Sequence, residues 1–183
     1  ARPAPARAGA WHEGRAVASL PGPTLVDLGE GGDRQPAAPW RPEDPRLAGT
    51  SIPLDACTLR TANGTLLAVL LRDDRAPEPP GRVALFARQG AEWECVGTAE
   101  TGLRPFALAA APLEDGDDEV LAVSCQNSHH LNLWTGGVRL ERALDLGAGR
   151  GPLDLAVVPR SGGGAWLAVA ANFSSEVVLF GPR

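Results

Sequence analysis

Three histidines, three cysteines and 22 acidic residues are the side chains from which a reactive centre would have to be built. His129 and His130 form the most suggestive pair, with His12 the only other histidine. Neighbours at the start of a strand point to opposite sides, so the two rings do not converge on one metal. Cys57, Cys95 and Cys125 lie too far apart in sequence for a zinc motif. Two arrangements stay open for them: one disulfide with one free thiol, or three buried thiols. Asp115, Asp117, Asp118 and Glu119 surround Gly116 and can offer oxygen ligands to calcium. No other part of the chain repeats this run, so it reads first as a solvated hairpin tip, and Asp115, Asp117 and Glu119 are kept as the calcium candidates. There is no Gly-x-Ser-x-Gly elbow, no His-Glu-x-x-His, no phosphate loop and no dinucleotide fingerprint. No cofactor is expected.

Bulk properties narrow the partners. All 17 basic residues are Arg, scattered along the chain, and the net charge is −5. A polyanion needs a basic surface, so no nucleic-acid partner is expected. The longest apolar stretches, 66–71 and 106–113, fall far short of the ~20 residues that span a bilayer. Absent Lys, Met and Tyr and a single Ile are the imprint of a GC-rich genome, without functional content. The chain begins at Ala with no charged-then-apolar leader, which reads as a leader or tag already removed, or as a fragment. Two glycosylation sequons, at Asn63 and Asn172, lean toward a secreted origin.

The elements that must position these residues are announced by a repeat. Leu-Ala-Val occurs at 67–69, 121–123 and 167–169, each with a proline upstream: Pro53, Pro105 and Pro152. Each proline opens a short apolar segment. Downstream, each copy closes on an aromatic residue, in Val83-Ala-Leu-Phe86, Leu131-Asn-Leu-Trp134 and Val177-Val-Leu-Phe180. From the Leu to that aromatic is 13 residues in copies two and three and 19 in copy one, which carries the Pro-rich insert 75–81. Asn63-Gly64 marks a tight hairpin turn between the first two strands of copy one. The Leu-Ala-Val strands are continuously apolar with small side chains, the pattern of strands buried on both faces. Polar-alternating segments at 92–96 and 138–144 predict a fourth, outer strand in copies one and two. In copy three, residues 11–20 are expected to supply it, pairing the open edge of the last sheet.

Four-stranded antiparallel units at this spacing predict an all-β chain of the β-propeller type, with three blades at about 50–99, 102–146 and 150–181. Residues 1–49 read as a Pro/Gly-rich arm. Three blades do not close a ring, since about four is the known minimum. The expectation is therefore a hidden degenerate blade, a part of a larger ring, or a ring shared with another chain.

The segment 167–180 resembles the second and third strands of lactonase-like and NHL-type blades. It is similar in equal degree to the EPTP (epitempin) repeat, whose resemblance implies an extracellular protein-binding propeller. Residues 115–123, Asp-Gly-Asp-Asp-Glu-Val-Leu-Ala-Val, are similar to the FG-GAP type, which would imply a calcium loop; copies one and three lack its acidic residues.

In such a blade the loops between second and third strands share one rim with the blade connections. That rim would carry Arg72, Asp73 and Asp74 from copy one and Gln126, Asn127 and His129 from copy two. Copy three adds Asn172 and Ser174, and the connections add Arg104 and Arg150. Paired guanidinium groups at a channel mouth suit carboxylate or phosphate. The first expectation is a non-enzymatic interaction module presenting these loops to a protein partner. Its alternatives are a propeller enzyme of the lactonase or hydrolase kind, and a structural subunit whose ring is completed as a homo- or hetero-oligomer.

Overall fold

The computed structural model describes residues 8–12, 15–20, 24–27, 51–73, 80–90, 92–112, 118–135, 141–147 and 150–181, with the backbone alone at 8–12, 15–20, 24–27, 51–52, 73, 92 and 141–147. Every regular element among them is a strand. The first sheet is β1 (Ala8–His12), β2 (Arg15–Leu20) and β3 (Thr24–Asp27), and the second is β4 (Ser51–Thr61), β5 (Gly64–Asp73), β6 (Pro80–Gln89) and β7 (Glu92–Leu103). The third comprises β8 (Pro105–Ala111), β9 (Val120–Cys125), β10 (His130–Thr135) and β11 (Glu141–Gly147). The fourth has β12 (Pro152–Pro159), β13 (Ala165–Ala171) and β14 (Glu176–Phe180). In the second, third and fourth sheets, neighbours in sequence are neighbours in space and every pairing is antiparallel. The all-β expectation is met; no closed ring is seen among the described residues.

The repeat places the same residues at the same point of each sheet. Leu-Ala-Val lies in the second strand each time, β5, β9 and β13, and each opening proline starts or bends the first strand at a register shift. Strand alternation then divides the side chains between two faces. Ala68, Leu70, Val83 and Leu85 point toward the third sheet and meet Leu108, Leu121, Val123 and Trp134. Ala109, Ala122, Leu131 and Leu133 leave the opposite face of the third sheet and meet Leu167 and Val169 of the fourth. The remaining face of the second sheet buries Leu67, Val69, Leu71 and Phe86, and the first sheet packs on β4 and β5. Each such Leu or Val contributes roughly 1.5–3 kcal/mol through burial. The first strands run side by side, β1 with β4, β4 with β8 and β8 with β12.

Polar links tie the sheets together. Asp55 Oδ2 accepts the Leu108 N–H at 2.8 Å, joining β4 to β8. Ser124 Oγ accepts the Ala107 N–H at 3.0 Å and donates to the Leu153 carbonyl at 3.1 Å, joining the third sheet to the fourth. Buried Asn132 accepts the Gly102 N–H at 2.8 Å, joining β10 to β7. Gly81 lies where β6 meets these elements; a Cβ there would stand 2.9 Å from the Leu71 carbonyl and 2.3 Å from Pro105.

Three expectations differ from the observed backbone. Residues 11–20 do not form one outer strand. They belong to β1 and β2, which pair with each other and, through β2, with β3, and β14 has no further strand beside it among the described residues. The outer strand of the third sheet starts at Glu141, because its pairing with β10 is set by Leu131↔Leu146 and passes through a bulge at Leu133/Trp134. The first hairpin turns on Ala62 and Asn63, with Thr61 opposite Gly64; Gly64, at φ 121°, takes the conformation that side chains avoid. Residues 28–50, the insert residues 75–79 and the run Asp115–Asp117 lie outside the described residues.

Candidate functional site

The turns that follow β9 and β13 grip the connections that precede β8 and β12. The Gln126 N–H donates to the Arg104 carbonyl at 3.0 Å and the Asn127 N–H to the Leu103 carbonyl at 3.3 Å. One unit later the Asn172 N–H donates to the Gly151 carbonyl at 2.9 Å and the Phe173 N–H to the Arg150 carbonyl at 3.0 Å. Arg104 and Gly151 are therefore the matching residues, and both are left-handed, at φ 52° and 65°. Arg150 matches Leu103, so the two arginines expected as equivalents occupy different steps of the connection. Both are exposed.

Arg72, at the end of β5, and Arg104 come together over one ring. Their guanidinium carbons lie 5.6 and 5.7 Å from the centroid of Phe106, the second residue of β8. A cation over an aromatic face is held by the ring's quadrupole. Phe106 thus fixes two positive charges at the place where β5, β8 and the Gln126 turn meet. Gln126 is buried, and its Oε1 has no hydrogen-bond partner among the described residues; Ser174 Oγ in the matching turn is likewise buried and without one there. An unpaired buried acceptor costs about 1–3 kcal/mol.

The other expected residues have different tasks. His129, at φ 55°, accepts the Gly151 N–H on Nδ1 at 3.0 Å and meets the Phe173 ring edge-on at 6.2 Å. It pins the third sheet's turn to the next connection. Asn127 is half-buried and Asn172 exposed; Asn63 is exposed at its hairpin tip. Asp73 closes β5 opposite Ser51, with only its backbone described, and Asp74 lies outside the described residues.

Glu119, kept as a calcium ligand, is committed elsewhere. Its carboxylate takes Arg60 Nε at 3.0 Å, Nη2 at 2.8 Å and the Arg60 N–H at 2.8 Å. Asp118 accepts the Ala62 N–H. These two acidic side chains clasp the first hairpin tip of the second sheet. Asp115 and Asp117 lie outside the described residues, and no group of three or more potential metal ligands occurs among the described ones. All three cysteines are free thiols. Desolvation, then the charges of Asp55 and Glu119, push the Cys57 thiol up, so it stays protonated.

Sequence spacing missed Asp55. Burial, which outweighs the hydrogen bonds from Leu108 and Ala56, raises its carboxyl above the usual carboxylate range, with a further push from Asp154. The available signal was an acidic residue two positions after the opening proline in copies one and three. Compared with known protein families and with curated proteins, the chain matches none.

Proposed function

We propose that the chain is a non-enzymatic interaction module of the β-propeller type, whose rim binds an acidic segment of a protein partner. The observation that carries this reading is the convergence of Arg72 and Arg104 on Phe106. The exposed Arg104 guanidinium offers the forked donors that suit carboxylates, and Arg72 adds a second positive charge at the same ring. The Gln126 turn, whose N–H holds the Arg104 carbonyl, fixes the backbone that carries the first of them. Side-by-side first strands and the shared rim geometry of successive units support the propeller type.

Titration calorimetry with a Glu-rich peptide tests it. Arg104→Gly is the clean variant, because glycine already occupies the matching left-handed position at Gly151. Loss of a hydrogen bond to a charged group is worth about 1.5–3 kcal/mol. Arg104→Gly should therefore weaken binding by roughly tenfold or more, as should Arg72→Gln, and rising salt should weaken the wild type. A wild type that shows no saturable binding, or variants that bind as tightly, would refute the reading.

A further inference from the structure

Among the described residues, the fourth sheet leaves open a face that its repeat partners bury. In the segments that close on an aromatic residue, the first position is Val83, Leu131 and Val177, exposed 0%, 0% and 70%. The third position is Leu85, Leu133 and Leu179, exposed 0%, 7% and 59%. Ala68 and Ala122, the centres of their Leu-Ala-Val strands, are sealed by the next sheet, whereas Ala168 is half-exposed. Cross-strand register puts Ala156 and Leu179 beside Ala168, and Val177 beside Ala170. Val158, exposed 43%, completes the patch opposite Trp166.

A polar group marks the same vacant place. Asp55 and Asp154 both stand two residues after the opening proline, and each accepts the next residue's N–H on Oδ1 at 2.9 Å. The other oxygen of Asp55 receives the N–H of Leu108 from the first strand of the next sheet. The other oxygen of Asp154 meets no donor among the described residues. Apolar and polar positions alike are laid out for one more sheet whose first strand runs beside β12.

We infer that this face is an interface for a second copy of the chain, which seats its own first sheet there. The surfaces that receive such a face within the chain are sheets of this same row. Among the described residues the other open end of the row is the first sheet, and its β1 already lies beside β4 as β4 lies beside β8. An end-to-end contact of this kind is heterologous and closes when its rotation fits. Two copies carry twice the four sheets of one chain, within the range of about 4–8 known for closed rings. The inference rests on sheet stacking and is independent of what the rim binds.

Light scattering on the full chain, with Val177→Arg/Leu179→Arg as the variant, tests it. The wild type should have twice the 19.0 kDa mass of the chain. The double variant, altered only at positions exposed in the single chain, should fall to 19.0 kDa and keep its β signal in circular dichroism. If charge at both sites unfolds it, Val177→Thr, which keeps the branched shape, should still raise the dissociation constant of the dimer. A wild type of single-chain mass at all concentrations, or a dimer indifferent to these substitutions, would overturn the inference.

Discussion

Asp55 shows how one residue can hold two sheets together and why such a residue is hard to read from sequence. Its carboxylate serves two backbone N–H groups, Ala56 on its own strand and Leu108 on the next sheet. Asp55→Ala leaves the Leu108 N–H without its acceptor and should cost about 1–3 kcal/mol in denaturant melts. The raised carboxyl adds a pH signature. Between the usual 3.8 and its folded value, the folded chain holds a proton that the unfolded chain has released. Stability in that window therefore falls as pH rises, and this component should vanish in Asp55→Ala. A single Asp beside a proline reads in sequence as a solvated turn residue, because the partner that matters lies 53 residues away. Arg72 and Arg104, by contrast, were legible as residues of a strand end and a sheet connection, since strand ends and opening prolines fix their height in the unit. What joins them, Phe106, looked like one more apolar strand residue.

At the scale of strands, the Leu-Ala-Val landmark located the second strand of all three units, because small and branched residues packed on both faces leave a continuous apolar run. The burial it predicts holds for β5 and β9, whereas β13 is buried on one face only. Sequence marks what a strand is built for, and the difference lies in whether a neighbouring sheet is there. In the first sheet the sequence showed strand character at 11–20 but not its division or pairing, since β1, β2 and β3 carry no landmark and each is at most six residues long. Close approach within the second sheet makes a sharp prediction. Gly81→Ala drives a Cβ against a backbone carbonyl and Pro105, and its N–H already donates to Thr101 Oγ1 at 3.0 Å. Overpacking of this kind should cost about 1–3 kcal/mol, measured as a lowered denaturation midpoint. Gly64→Ala, with open space around it, should pay only for its left-handed backbone.

For the whole molecule, stability should follow the row of sheets. Each sheet contacts its neighbours in line, so the protein behaves as a chain of coupled units. The second and third sheets have a neighbour on both faces, and the fourth has one. In the single-chain double variant, amides of β13 should therefore exchange with solvent sooner than those of β5 and β9, as hydrogen-exchange mass spectrometry would record. Charge and composition name no partner at this scale; the Arg72–Arg104 pair and the open face give the chemistry of the two proposed ones. Both depend on the first strands being innermost. Electron microscopy of the solution assembly tests that directly. A ring is expected in which β4, β8 and β12 line the centre and the Arg72–Arg104 pair opens onto one rim; a flat, linear stack of sheets with no common axis would contradict it.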